Sequence, residues 1–273
     1  MTFIKGGTMR HFKGKKVLIT GGASGIGKIM GRLVLEKGAE LIIWDINREN
    51  MEETVREFYS LGNVKTYQVD VSDAVQVHST AVQVKKDTGP VDVLINNAGI
   101  VVGKYFHEHT VPEINRTMNV NAVAPMTVTR AFLPDMMERN SGYICNIASS
   151  AGLVSNPKMS VYVASKWSMV GWSDSLRLEM KQLNKNIGIT TVTPYYIDTG
   201  MFDGVRSRIP LLKPEKAAKK IIRAIEKNRV IQSMPWSYHF VRISQGLLPI
   251  PVFDWFTGKV LGVYRTMEHF KGR

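Results

Sequence analysis

Cysteine is nearly missing from this chain: Cys145 is its single example in 273 residues, so no internal disulfide can form. That fits a reducing compartment, or a fold that needs no bridge. Cys145 lies in an apolar, strand-like run and reads as a small core residue, not a nucleophile. No apolar stretch reaches the ~18 residues that would suggest a membrane-crossing helix. Met1 to Lys16 is basic with only isolated apolar residues, so a secretory signal is not expected, and a cytoplasmic location is. Zinc-finger spacing, an RNA-binding signature and an aromatic-basic stripe are all lacking, which argues against nucleic acid as a partner. Without repeats or a Gly/Ser linker, residues 1–273 read as one domain, with 200–273 as a substrate-loop and C-terminal segment inside it.

Acidic residues are also scarce. Asp and Glu number 23 against 36 Lys and Arg, a net charge of +13. An anionic lipid surface or an anionic substrate would answer such a charge, and so would a basic surface that serves only solubility. What the chain has in quantity is apolar residues, 44% of the total, enough for a large core and too many for a disordered chain.

Short β-rich segments alternate with helical patterns along most of the chain. Strands are predicted at 16–20, 40–45, 64–69, 91–95, 142–147, 187–193 and 230–234. Helices are predicted at 25–37, 48–61, 73–88, 160–183 and 214–227, with a long one at 112–139 that Pro125 and Pro134 bend or end. Such alternation argues an α/β fold: a doubly wound parallel sheet with helices on both faces. From Pro235 to Phe270 the texture changes, with Trp236, Tyr238, Phe240, Leu247, Leu248, Phe253, Trp255, Phe256 and Tyr264 set among prolines and basic residues. This segment is either a cover for the sheet or an oligomer contact, or a greasy lid or lipid-facing surface; the density of aromatics beside the basic charge favours the latter pair.

Between the first strand and first helix runs Thr20-Gly21-Gly22-Ala23-Ser24-Gly25-Ile26-Gly27. Glycines 21, 25 and 27 permit a tight turn, close approach of a pyrophosphate and close helix–strand packing, and the helix start offers free N–H groups to phosphates. Ser24 and Ile26 belong to the same cradle. Asp45 ends the second strand, where a carboxylate accepts both ribose hydroxyls and repels a 2′-phosphate, so NAD is favoured over NADP. Asp70 and Val71, placed at the end of the third strand, are suited to hold the adenine.

Tyr162 and Lys166 stand four apart on a predicted helix, thus on one face, with Ser149 upstream. A fixed ammonium beside a phenol is expected to lower its pKa and make it a proton donor and acceptor. Alone, the pair is also compatible with a solvated surface couple. His107 and His109 flank Glu108 in a polar loop with no third partner in view, and no metal is expected.

Taken together, Thr20-Gly21-x-x-x-Gly25-Ile26-Gly27, Asn96-Asn97-Ala98-Gly99, Ser149 and Tyr162-x-x-x-Lys166 resemble the short-chain dehydrogenase/reductases over nearly the whole chain. The resemblance implies a Rossmann-type sheet of order 3-2-1-4-5-6-7 and hydride transfer between an alcohol and a carbonyl with a nicotinamide cofactor. It makes Tyr162 the general acid/base, Lys166 the residue that lowers its pKa and holds the nicotinamide ribose, Ser149 the donor to the substrate oxygen, and Asn121 the anchor of a proton-relaying water. Asn97, Ala98 and Gly99 would line the cofactor, and Pro194, Ile197 and Thr199 would hold the carboxamide. The family usually has glycine after that proline; here Tyr195 follows, which bears on the backbone path and pocket shape.

A narrower resemblance rests on Leu41 to Asn47, Arg130 to Pro134 and Asp198 to Phe202. These are similar to the branch of retinol dehydrogenases and microsomal or lipid-droplet 17-beta-hydroxysteroid dehydrogenases. It implies a hydrophobic alcohol (retinoid, steroid or long-chain) as partner, while the wider family implies a homodimer or homotetramer built on residues 112–139 and 160–183. Membrane attachment is not implied by the branch; peripheral contact with a membrane or lipid surface is an expectation that rests on the apolar, basic C-terminal segment. Reversible NAD-dependent oxidation of such an alcohol is the expected function. A carbonyl reductase and a lipid-surface scaffold with little activity are the alternatives. The pocket is expected to draw on 101–106, 153–159 and 195–208.

Overall fold

A computed structural model of the protein describes residues 11–272. Most of the amino-terminal segment read above as lacking a secretory signal lies outside the described residues. Among those described, seven strands form one sheet in the order β3-β2-β1-β4-β5-β6-β7, with every pairing parallel. The strands are β1 (Lys16–Thr20), β2 (Glu40–Asp45), β3 (Val64–Gln68), β4 (Val93–Asn96), β5 (Gly142–Ile147), β6 (Ile187–Pro194) and β7 (Ile231–Met234). Strand order reverses between β1 and β4, and in an open parallel sheet the crevice beyond the strand ends at that point is where ligands bind.

The alternation of side chains along β1 shows why both faces are covered. Val17 and Ile19 pack with α1 (Gly25–Leu35), α2 (Arg48–Phe58) and α7 (Pro214–Glu226) through Met30, Val34, Phe58 and Ile221. Leu18 points the other way, into a second core with α3 (Ala74–Thr88), α5 (Ala124–Glu138) and α6 (Ser160–Gln182), built on Val77, Val84, Phe132 and Leu176. Each large apolar side chain so buried contributes ~1.5–3 kcal/mol. Cys145 lies in the first core, fully buried, as expected of a structural thiol, and burial pushes its pKa well up.

The predicted long helix over 112–139 divides into α4 (Val111–Met118), a single π turn at Asn119–Val123, and α5. Pro125 has no amide hydrogen, so the i−4 bond it would owe the carbonyl of Asn121 cannot form. The chain widens instead, with the Ala124 amide donating to the Asn119 carbonyl. Pro134 sits inside α5 without ending it. The widened turn carries Asn121, fully buried, against Ile100 in the loop that follows β4.

The C-terminal segment adds two short helices, α8 (Val241–Leu247) and α9 (Ile250–Trp255), flanked by 3₁₀ turns at Trp236–Phe240 and Val263–Arg265. Tyr238, Val263 and Met267 join a third apolar cluster with Leu153, Met159, Tyr162, Tyr195 and Tyr196. The segment is therefore a cover over the carboxyl end of the sheet. On its outer side Trp236, Leu247, Ile250 and Trp255 remain exposed.

Candidate active site

The glycine loop joins β1 to α1. Gly21 and Gly25 adopt φ of 62° and 50°, a region costly for other residues, and a side chain on Gly27 would meet the Gly21 carbonyl. Ser24 precedes α1 without capping it through its side chain, and no acidic residue occupies the first turn. The first amides of α1 thus stay free for an anion. Thr199 faces Gly25 from across this cradle. The geometry fits the pyrophosphate of a dinucleotide.

Asn97 stitches the cradle to β4. Its Nδ2 donates to the carbonyls of Thr20 and Gly21, each at 3.0 Å, while Thr20 Oγ1 accepts from the amides of Asn97 and Ala98. Asp45 does something the sequence did not suggest. Its Oδ2 accepts from the Ala23 amide and its Oδ1 from the Asn47 amide, both at 3.0 Å, so the carboxylate braces the glycine loop from β2. Each carboxylate oxygen retains a second lone pair for a ribose hydroxyl.

Asp70 and Val71 lie just past β3, which ends at Gln68 and not at 69 as predicted. Asp70 Oδ1 accepts from the amide and hydroxyl of Ser72, a local turn that fixes the segment leading into α3. Asp45, Asp70, Val71 and Gly27 are not part of the central cleft's lining, whereas Gly21, Ser24, Gly25, Ile26, Asn97, Ala98, Gly99, Pro194, Ile197 and Thr199 are.

The same cleft brings Ser149, Tyr162 and Lys166 together. Ser149 follows β5; its hydroxyl accepts from the Ala151 amide at 3.1 Å, capping the 3₁₀ turn Ser150–Gly152, and it shares a hydrogen bond with the Tyr162 phenol. Tyr162 and Lys166 project from the first turns of α6. Lys166 Nζ donates to the Ile147 carbonyl at 3.1 Å and lies 5.6 Å from the Tyr162 ring centroid.

Asn121 is outside the cleft wall but adjoins it. Its Oδ1 accepts from the Ile100 amide and its Nδ2 donates to the Ile100 carbonyl and Ser165 Oγ. A side chain on Gly99 would begin 3.3 Å from Asn121 Oδ1 and 3.6 Å from Lys166 Nζ, so glycine keeps the space between these two groups open.

One electrostatic expectation is corrected. Burial pushes the Tyr162 phenol up to about 12, partly countered by its hydrogen bond with Ser149. The same burial pushes the Lys166 ammonium down to about 8. Desolvation opposes both charged forms, and it outweighs the expected pull of a neighbouring charge because the ammonium is hydrogen-bonded to a carbonyl and not to the phenol.

Tyr195, where glycine was expected, keeps the strand path: its amide donates to the Met234 carbonyl at 2.7 Å. Its ring packs edge-on against Tyr196 and near Tyr238, with the hydroxyl bonded to Ser207. Val154, Met159, Tyr196 and Phe202 line the cleft as the sequence proposed for 153–159 and 195–208, but none of residues 101–106 does. Val101 packs on the third cluster, and Tyr105 and Phe106 face solvent. Ile147, Ala148, Ser150, Ala151, Tyr238 and Val263 also line the cleft; the first four had no signal beyond adjoining Ser149, and the last two lay within the aromatic C-terminal segment.

Residues 15–210 match the family described as short chain dehydrogenase. The chain belongs to that family. Among individual members it is similar to retinol dehydrogenases. Epidermal retinol dehydrogenase 2 of Mus musculus is 36% identical over 271 residues, covering 97% of this chain and 87% of that protein. Retinol dehydrogenase 10 of Xenopus tropicalis is 38% identical over 269 residues, covering 86% and 79%. Among solved structures, a short chain dehydrogenase/reductase from Burkholderia phymatum in complex with NAD superposes with a TM-score of 0.80 at 25% identity, covering 87% of this chain and 95% of that one. A metagenomic short-chain oxidoreductase in complex with NADP gives 0.71 at 26% identity, covering 82% and 96%. Membership of this oxidoreductase family, with retinol dehydrogenase relatives, makes the chain an enzyme of alcohol–carbonyl interconversion on a small molecule, using a dinucleotide.

Proposed function

We propose that this short-chain dehydrogenase oxidises a hydrophobic alcohol (a retinoid, steroid or long-chain alcohol) with NAD, reversibly. The observation that carries this reading is one cleft in which Ser149, Tyr162 and Lys166 stand between the dinucleotide cradle and a wall of Val154, Met159, Phe202 and Val263. An apolar wall of this kind selects an apolar substrate body, and the few polar groups orient its reacting end. The retinol dehydrogenase relatives support the substrate class. Asp45 supports NAD, because its carboxylate stands where a 2′-phosphate would be repelled.

NAD, when bound, supplies the hydride acceptor. Ser149 holds the substrate oxygen by hydrogen bond as charge develops on it. Tyr162, as the phenolate that the Lys166 ammonium would stabilise, takes the hydroxyl proton and becomes the phenol. Asn121 and Lys166, flanking Gly99, mark the route by which that proton reaches solvent. The fold is read as a single domain, with residues 200–273 forming the substrate side.

A second reading runs the same chemistry mainly towards the alcohol. The Tyr162 phenol, pushed up to about 12, is a proton donor at neutral pH, as reduction of a carbonyl requires.

Peripheral contact with an anionic lipid surface belongs to the same proposal, with the protein otherwise cytoplasmic. Trp236, Phe240, Ile243, Leu247, Ile250 and Trp255 are exposed on consecutive short elements, with Arg242 and Lys259 exposed among them. Trp167 and Leu178, exposed on α6, support a homo-oligomer contact through that helix. A panel of retinol, steroid, long-chain and short-chain alcohols, each with NAD and NADP, tests the function. Turnover of apolar alcohols with NAD is expected; turnover confined to short polar alcohols, or to NADP, would overturn the reading.

A further inference from the structure

The family match ends at residue 210, but the cleft wall extends beyond it, through Tyr238 and Val263. The stretch 262–271 runs past three loops around the apolar half of the cleft. Over the loop after β4, the side chains of Met267 and Phe270 occupy the space a side chain on Gly103 would need. Along 199–208, the Lys271 amide donates to the Asp203 carbonyl at 3.1 Å and the Arg206 amide to the Thr266 carbonyl at 3.2 Å. Gly204, at φ of 81°, lies against the His269 carbonyl. Just upstream of the stretch, the Lys259 and Val260 carbonyls accept from the Arg208 guanidinium. The third loop, 153–159, is reached through Thr266.

Thr266 is 1% exposed, and its hydroxyl joins groups from separate parts of that wall. Oγ1 lies 3.0 Å from Tyr196 Oη, 2.9 Å from the side-chain amide of Asn156 and 2.9 Å from the Val263 carbonyl. A threonine hydroxyl has one proton and two lone pairs, enough for three such neighbours. Tyr196 and Asn156 both line the cleft, and the Tyr196 ring packs edge-on with Phe202, centroids 4.9 Å apart. Between β6 and α7 the described chain has no helix and a single strand-like bridge, Ile197 to Leu212. Met201 and Phe202, which line the cleft from that stretch, therefore depend on such ties for their place. The reacting groups are anchored elsewhere: Lys166 on the Ile147 carbonyl, Tyr162 on Ser149, and the glycine loop on Asn97.

We infer that Thr266 is a positioning residue for the apolar body of the substrate. Its hydroxyl docks the C-terminal stretch on Tyr196 and Asn156, its carbonyl holds Arg206, and together they keep Met201 and Phe202 in the wall. Thr266 is not itself part of the cleft's lining, so it acts through these neighbours. The inference rests on the dehydrogenase reading above and goes beyond it, placing control of apolar-substrate affinity in a segment outside the family match. Removing the hydroxyl strips buried polar groups on Tyr196 and Asn156 of a partner, which destabilises the docked stretch and loosens the wall. The chemistry at Ser149 and Tyr162 has no such dependence.

The test compares wild type with Thr266→Val, which keeps the shape without the hydroxyl, and Thr266→Ser, which keeps the hydroxyl. Retinol, a steroid alcohol and dodecanol serve as substrates with the preferred dinucleotide. In Thr266→Val, KM for the alcohols that turn over is expected to rise about tenfold, while kcat and calorimetric dinucleotide affinity stay within about twofold. Thr266→Ser should restore the wild-type KM. An unchanged KM in Thr266→Val, a KM as high in Thr266→Ser, or an equal loss of dinucleotide affinity would overturn the inference. Hydrogen exchange gives a readout that needs no turnover. Amides at 199–208 should exchange faster in Thr266→Val than in wild type and Thr266→Ser, with those of 16–27 and 160–183 unchanged. Failure of every alcohol and carbonyl to turn over would instead defeat the dehydrogenase reading. The exchange pattern then decides whether Thr266 holds the wall, and unaltered protection at 199–208 sinks that role. Should Thr266→Val not fold, Thr266→Ala takes its place in both measurements.

Discussion

Lys166 Nζ lies 5.6 Å from the centroid of the Tyr162 ring, yet its hydrogen bond goes to the Ile147 carbonyl at the end of β5. The helical spacing brings the two groups to one face, and the sheet decides what the ammonium touches. It is anchored to the strand that leads into Ser149, so ammonium, phenol and serine hydroxyl are held in one fixed arrangement. Their separate pKa values move in opposite directions because one desolvated environment penalises phenolate and ammonium alike.

Tyr162→Phe removes the one phenol that is hydrogen-bonded to Ser149. Turnover should fall by about 10²–10⁴, the range for loss of a positioned acid/base. Dinucleotide affinity, measured by calorimetry, should change little because the cradle formed by Gly21, Gly25 and Asn97 is untouched. Near-normal activity in this variant would refute the role.

Asp45→Ala should do two things at once. It removes the acceptor for the Ala23 and Asn47 amides, and on the proposed function it removes the acceptor for the ribose hydroxyls. Charged hydrogen bonds contribute about 1.5–3 kcal/mol each, so NAD affinity should drop by tenfold or more. NADP affinity should suffer less, since the repulsion of a 2′-phosphate disappears with the carboxylate. Equal weakening of both cofactors would assign Asp45 to loop bracing alone.

Lys166 carries a pH signature. Unfolded, its ammonium keeps its proton to about 10.5; folded, burial lowers this to about 8. Between those values the unfolded chain binds more protons, so wild-type stability should rise with pH through that window. Below pH 8 the full penalty applies, on the order of 3 kcal/mol. Tyr162, raised to about 12, acts with the opposite sign above pH 10, so the useful range is pH 8 to 10. Urea unfolding of wild type and Lys166→Met should show the variant gaining most below pH 8, with the gap narrowing by pH 10. A gap independent of pH would contradict the depressed ammonium.

Replacing Trp236, Leu247, Ile250 and Trp255 together by Ser should leave the fold intact, since each is largely exposed, at 70%, 77%, 76% and 57%. Flotation with anionic liposomes at low salt should be strong for wild type and lost in the variant. High salt should weaken the wild-type association, because exposed basic groups such as Arg242 and Lys259 are screened. No co-flotation of wild type at low salt would dispose of the lipid contact.

Much of the framework is legible in local sequence. Strand and helix periods place β1, β2, β5 and α6 almost to the residue, because burial on both faces leaves apolar runs bounded by turn residues. The glycines at 21, 25 and 27 announce the cradle, since a missing side chain makes positive φ cheap at Gly21 and Gly25 and lets Gly27 lie against the Gly21 carbonyl. The short spacing from Tyr162 to Lys166 guarantees a shared helix face whatever the rest of the chain does.

Tertiary structure decided everything that depends on which distant groups share a low-dielectric space. It set the direction of the Tyr162 shift, because desolvation sums over all neighbours and not over one nearby charge. It turned the proline at 125 into a π turn that aims Asn121 at Ile100. It gave Asp45 a second task on the Ala23 amide, and it assembled Asn156, Tyr196 and Thr266 from three separate stretches into one hydrogen-bonded unit. Local patterns state which side chains face inward; only the folded chain decides which donors and acceptors meet there.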